Sequence, residues 1–302
     1  KAETLKQSFK IFSLYLIITL IIFVILNLLN IRTFNSLNLA MTVISSGGFL
    51  PTNSLSSILL NNTQIIFFSL LMLTSFFSIF LSYNLIFIKN RNFNFFNEDL
   101  HLFFYFLFLI TIFFIFSNFD NNFIKLLLSL TSSISNIGIS LDENTSSLSF
   151  IFLILIIIGG SFFSTSSGIR FLKIYSLFKY SINEILSYSR PKNIYINKHL
   201  FSNESFHLNE IYKYFLSILV FIISLFFLSS LLTVSGIDFE SSFKLSILTL
   251  MNTVNSSTYG LADFNFHDLQ PFIKYYLILF MIIGRIELLT ILIICKKFLF
   301  KN

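Results

Sequence analysis

Five stretches, residues 11–30, 65–88, 101–117, 214–234 and 272–295, run almost unbroken through Ile, Leu, Phe and Val. About 20 such residues are what an α-helix needs to cross a bilayer. A helix also satisfies every backbone polar group where no water can, so the pattern predicts membrane-crossing helices. Three shorter apolar segments lie between them, at 34–44, 122–134 and 239–253. They are too short to span and read as re-entrant, entering and leaving by the same face. Each runs into small polar residues, SSGGF at 45–49, SNIGI at 135–139 and NSSTYG at 255–260, before a second long apolar segment begins. The order long helix, short helix, polar turn, long helix thus occurs three times. Exposed interfacial loops would have no reason to repeat length, order and chemistry together, so the repetition points to a quasi-symmetric architecture.

Composition agrees with the pattern. The 302 residues are 55% hydrophobic and 11% charged, with no Trp, and the mean hydropathy is +0.83. A soluble domain is excluded. The expected fold class is an all-α multi-pass membrane protein, with helix–re-entrant loop–helix repeats set quasi-symmetrically around a pore. The net charge of +6 is topological and does not indicate a nucleic-acid partner. Basic residues gather at Lys1/Lys6/Lys10, Lys89/Arg91, 173–213 and Lys296/Lys297/Lys301, whereas Asp120, Asp142, Glu143, Asp238, Glu240, Asp263 and Asp268 fall between them. By the positive-inside rule both ends of this segment are cytoplasmic, in the cell's inner (plasma) membrane. The lone Cys295 excludes an internal disulfide, and His101, His199, His207 and His267 have no metal-ligand spacing.

The polar turns carry the candidate chemistry. A short helix descending into the membrane points its partially negative C-terminus at the centre. An extended turn after it can aim carbonyl oxygens at a common axis, where they replace the water shell of a monovalent cation. Gly48 and Gly138 suit positive-φ geometry in such a turn. Ser45, Ser46, Ser135, Asn136, Asn255 and Ser256 add neutral oxygens. No Asp or Glu ring adjoins the turns, and no nucleotide loop or catalytic triad is present. The expectation is therefore transport without enzymatic activity, and without a cofactor bound by this chain.

One further stretch breaks the apolar pattern: IIIGGSFFSTSSGIRFLK at 156–173 places two glycines, a run of hydroxyls and Arg170 at bilayer depth. Charge buried in a membrane is costly enough to mark a functional position by default. Snorkelling to the cytoplasmic face is the alternative for Arg170 and for Lys173.

The GGF at 47–49, the GGS..STSSGIRFLK at 159–173 and the GRIELLT at 284–290 resemble the Trk/Ktr/HKT superfamily of potassium transporters, most closely the Trk-type membrane subunit. The resemblance spans the chain but only the second to fourth of that family's four repeats. These fall at 1–95, 96–200 and 201–302, and imply that the chain is the C-terminal part of a longer one. It implies K+ as transported ion and a K+-selective filter from Ser45, Ser46, Gly47 and Gly48, then Ser135, Asn136, Ile137 and Gly138. In the last repeat the filter would use Asn255, Ser256, Ser257 and Thr258. It also implies a gate of Gly159, Gly160, Ser164, Thr165, Gly168, Arg170 and Lys173, partnered by Arg285 and balanced by Glu287. A homodimer and a cytoplasmic nucleotide-binding regulatory ring are the implied partners, with the lipid bilayer. Two departures stand out. Phe162, Phe163, Ser166 and Ser167 fill a loop that is richer in glycine in the family, and Thr258 stands where a fourth filter glycine is expected. They keep a non-conducting, structural or regulatory homologue open as the alternative.

Overall fold

The computed structural model describes residues 2–52, 54–79, 93–116, 122–141, 148–188, 208–261 and 264–286. Ten α-helices occur among them: α1 (Ala2–Leu28), α2 (Thr33–Ser45), α3 (Asn62–Phe76), α4 (Phe93–Phe116), α5 (Asn122–Ile134), α6 (Ser149–Ile157), α7 (Phe171–Ser187), α8 (Leu208–Val234), α9 (Phe239–Leu250) and α10 (Pro271–Ile286). Among the described residues a long helix (α1, α4 or α8) is followed each time by a short one (α2, α5 or α9), a turn and a further helix of less than spanning length. That further helix is α3 in the first unit, α6 and α7 on either side of an interruption in the second, and α10 in the third. Between α6 and α7 a minimal parallel pair, β1 (Ile158–Gly159) and β2 (Ile169–Arg170), closes the intervening loop at its base.

Local chemistry sets the ends of these elements. Asp238 caps α9, its carboxylate accepting the Ser241 N–H at 3.0 Å. Hydrogen bonds from Ser241 hold that carboxyl below the ordinary Asp range, as expected for an anion at a helix N-terminus. At the start of α3 the Gln64 carboxamide accepts from Leu60 N–H at 2.8 Å and Asn61 N–H at 3.1 Å, and donates to Leu29 O at 2.9 Å. One amide thereby fixes the start of α3 against the end of α1. The apolar run 65–88 predicts a longer helix than α3. The helix ends at Phe76 because Phe77 is extended and the Ser75 and Phe76 carbonyls are taken by Ser166 N–H and Ser161 N–H, at 3.1 and 3.0 Å. Of the predicted 272–295 helix, α10 accounts for the part up to Ile286; the rest lies outside the described residues.

Short helices lie inside and long helices outside. In α5 and the turn after it, residues from Leu128 to Ile139 are buried without a break, and in α9 so are those from Leu245 to Leu250. One core joins α4, α6, α8, α9 and α10 around Phe152, Leu228 and Tyr259. A second joins α1, α2 and α3 around Leu39, Phe68 and Met72, with Leu128 and Ile137 reaching in from the middle unit. By contrast Ser8–Leu28, Glu98–Ile115 and Asn209–Val234 are long and apolar enough to cross a membrane, yet only 17%, 33% and 28% of an apolar 18-residue stretch in each is buried. Their outer faces carry Phe12, Leu20, Val24, Phe104, Phe108, Ile223 and Phe227 in the open. A bare apolar surface of this extent is incompatible with water and is the surface that lipid covers.

Candidate functional site

The three short helices end in the same way. Ser46, Asn136 and Asn252 adopt left-handed backbone, with φ of 50°, 57° and 51°. Behind each, two N–H groups fold back onto the helix. Ser46 N–H reaches Val43 O and Gly47 N–H reaches Thr42 O; Asn136 reaches Ser133 and Ile137 reaches Ser132; Asn252 reaches Thr249 and Thr253 reaches Leu248, all at 3.0–3.2 Å. This paired return is the Schellman closure of a helix C-terminus. It fixes the register of the three turns without reference to side chains.

In that register Gly48 corresponds to Gly138 and to Val254. The two glycines have φ of 71° and 82°, a region that a β-branched side chain avoids, whereas Val254 is not in the left-handed region. The turns also converge. A Cβ on Gly48 would strike Ile137 O and would lie 2.6 Å from Val254 Cγ2; one on Gly138 would strike the Val254 peptide and come within 2.9 Å of Thr253 Cγ2. All three turns therefore meet at one place in the interior of the protein.

Each turn is braced by its own set of polar contacts. Thr42 Oγ1 donates to Phe49 O at 2.6 Å. Asn136 Nδ2 donates to Ile156 O at 3.0 Å and, at 3.5 Å, to Thr253 Oγ1 in the next turn. Asn252 Nδ2 donates to Met281 O on α10 at 2.8 Å. Asn255, Ser256, Ser257 and Thr258, expected from the motif to supply the last quarter, lie after the convergence point. Asn255 Nδ2 donates to Leu261 O at 2.9 Å, Ser257 Oγ pairs with Ser140 Oγ at 3.0 Å, and Thr258 is buried beside Tyr259. The residues at the convergence are Asn252, Thr253 and Val254. The hydrogen-bond register places the turn at NTV, 252–254, although NSST at 255–258 is the more polar string.

The interrupting loop is a tightly bonded knot. Gly160 N–H donates to Ser166 Oγ at 3.0 Å, and Ser164 Oγ and Ser166 Oγ are 2.9 Å apart. Thr165 Oγ1 donates to Ser75 O at 3.4 Å. Gly159 forms β1 with Ile158, and Gly168, with φ of 92°, returns the chain to β2. Arg170 Nη1 lies within 3.0–3.3 Å of Ser161 O, Ser164 O, Ser164 Oγ and Ser166 O. The guanidinium thus closes its own loop. Lys173 is buried, with Nζ donating to Ser217 Oγ on α8 at 3.2 Å, which argues against a side chain reaching for the membrane surface. Phe162 and Phe163 stack edge to face at 5.0 Å and remain partly exposed.

Arg285 ties the loop to the turns: Nη1 donates to Ser167 Oγ at 2.7 Å and Nη2 to Ser45 O at 3.2 Å. Glu287 lies outside the described residues. Of two carboxylates that sequence reasoning passed over, Glu98 holds the loop from the other side and Asp99 holds the chain just after α3. Glu98 on α4 accepts Phe162 N–H through both oxygens, at 3.0 and 3.2 Å, and Asp99 accepts Ser78 N–H at 3.0 Å. Both are buried. Two adjacent carboxylates within an apolar helix were the signal that would have found them.

The fold and the site together define an α-helical membrane protein in which three re-entrant helices deliver their C-terminal turns to one central point. No protein-family model and no curated protein matches the chain. Among solved structures, the crystal structure of the potassium transporter TrkH from Vibrio parahaemolyticus matches with a TM-score of 0.79 at 21% sequence identity, covering 97% of this chain and 64% of that one. The fold of this chain is the TrkH fold, over less than two thirds of the TrkH chain's length.

Proposed function

We propose that the protein carries K+ across the cell membrane, through a filter of backbone carbonyls gated by the 159–173 loop. The observation that carries this reading is the convergence of three Schellman turns, two of which keep a positive-φ glycine at the meeting point. Carbonyl oxygens from such turns can take the place of an alkali ion's hydration shell. The C-terminal ends of α2, α5 and α9 add the negative end of each helix dipole. Ser46 Oγ and Asn136 Oδ1 are buried beside the turns without a hydrogen-bond partner among the described residues, as suits polar atoms next to a hydrated or ion-bearing line. The filter then comprises Ser45, Ser46, Gly47 and Gly48, Ser135, Asn136, Ile137 and Gly138, and the 251–254 turn in the last unit. Asn255, Ser256, Ser257 and Thr258 form the support behind it.

In this reading the three units, 1–95, 96–200 and 201–302, are three quarters of the pore, with cytoplasmic ends set by the basic clusters. Gly159, Gly160, Ser164, Thr165, Gly168, Arg170 and Lys173 form the gate, with Arg285 as its link to the filter and Glu98 as its anchor. TrkH-like assembly would add a second copy of the chain and a cytoplasmic nucleotide-binding subunit. The test is rubidium uptake by the full-length protein in a host lacking its own K+ uptake. Uptake above the empty vector that K+ competes away is the expected result. None, with the protein correctly inserted, overturns the reading.

A further inference from the structure

We infer that Val254 forms one wall of the ion line, narrowing it and withholding the oxygen ligands that the other two turns supply. This inference rests on the transport reading above and assigns it a residue that sets flux and selectivity. Three observations converge on Val254. The Schellman hydrogen bonds give it the same place as Gly48 and Gly138. Its φ is outside the region those glycines occupy, so the peptide planes on either side of it point differently and cannot repeat their carbonyl arrangement. Its side chain crosses to another turn: Cγ2 and Cβ lie 2.6 and 2.8 Å from the position of a Cβ on Gly48.

The contact between Gly48 and Val254 joins the first and third turns, with the second turn also in contact with both. An isopropyl group therefore sits where the three turns meet. Val254 is only half-buried, so it borders open space and is not sealed in the core. A methyl group offers a dehydrated cation no ligand, and ion selectivity depends on the number of oxygens around the ion. The class of ligand is a monovalent alkali cation bound by an incomplete oxygen cage. The expected phenotype is slow flux with weak discrimination between K+ and Na+.

The test compares Val254→Gly, Val254→Ala and Val254→Cys in the full-length protein expressed in a host without K+ uptake. Rubidium uptake should rise from Val through Ala to Gly. Val254→Gly should gain roughly tenfold, where one tenfold step corresponds to about 1.4 kcal/mol, and Na+ should compete less well. In a background without other cysteines, the thiol of the Val254→Cys variant should react with a membrane-impermeant cationic methanethiosulfonate added outside, and K+ should slow the reaction. A Phe49→Cys variant, at a position 76% exposed in the wild type, controls for labelling. Unchanged uptake and competition in the Gly and Ala variants, with normal wild-type uptake, overturn the inference and leave the transport reading intact. Failure to label Val254→Cys where Phe49→Cys is labelled also overturns it. Absence of uptake in every variant, with Val254→Cys labelled and protected by K+, removes the transport reading but upholds Val254 as the wall of a cation site.

Discussion

The first two turns and the third start from identical backbone closures and end with different chemistry. At 45–48 and 135–138 a left-handed Ser46 or Asn136 is followed two residues later by a positive-φ glycine; at 251–254 the left-handed Asn252 is followed by Val254. The bracing differs as well. The first turn is held at Ser45 O by Arg285, a cation that also grips the interrupting loop through Ser167. The third is held by a neutral amide, Asn252, on Met281 O. The same fold thus joins one turn to the loop by a charge and leaves another fixed to its own neighbouring helix. Equivalent backbone positions need not be equivalent in function.

The strongest way to break this comparison is to give the second turn the third turn's residue. Gly138→Val forces a β-branched side chain into φ of 82° and against the Val254 peptide. The backbone penalty alone is about 1–2 kcal/mol, before the steric overlap. Rubidium uptake should be lost and the melting temperature in detergent should fall. Retained uptake would show that the second turn has room that the structure denies it.

Next in size is Arg285→Ala. Hydrogen bonds to charged groups contribute about 1.5–3 kcal/mol each when buried and less here, where the site is partly open. The variant should alter uptake more than Asn252→Ala does, because it releases the interrupting loop and the first turn together. Equal effects would remove the distinction between the two braces. Arg170→Ala should raise basal uptake, since the guanidinium closes the 161–166 loop through one nitrogen; lower or unchanged uptake would contradict a barrier role. Glu98→Gln keeps an acceptor for Phe162 N–H but removes the charge, so it should loosen the loop by a smaller amount. Protease sensitivity at 161–166 would register it.

The smallest effect concerns pH at the entry to the third turn. Asp238 is depressed below the ordinary Asp value, so its capping contribution is present above the unfolded value of about 3.9 and is lost as pH falls through the lower folded value. Asp238→Asn should therefore match the wild type near neutrality and flatten the acid limb of a thermal-stability profile. An unchanged acid limb would show that the cap is idle.

The re-entrant plan and the broken helix at Gly159–Gly160 are readable from the chain. Each depends on local features, a segment too short to span and glycines beside hydroxyls. The pairing of Arg285 with the 159–173 loop is legible only through the family resemblance, because it joins residues 118 positions apart. The motif puts the last turn at 255–258 because Ser, Thr and Asn are interchangeable as turn formers over that stretch. The register in the folded chain shows instead in Asn252 N–H and Thr253 N–H closing onto Thr249 and Leu248. Nothing local in the chain names the partner of Glu98, and only folding brings it against a loop residue 64 positions away.

By itself the sequence determined that this protein lives in a membrane and folds as repeated dips and spans. Hydropathy and segment length act along the chain and leave a backbone in lipid few alternatives. Tertiary structure alone decided which atoms meet at the centre: that Val254 faces Gly48, that Lys173 is covered by α8, and that one arginine holds both a turn and the interrupting loop. Those meetings depend on how helices far apart in the chain pack together, which no local pattern encodes.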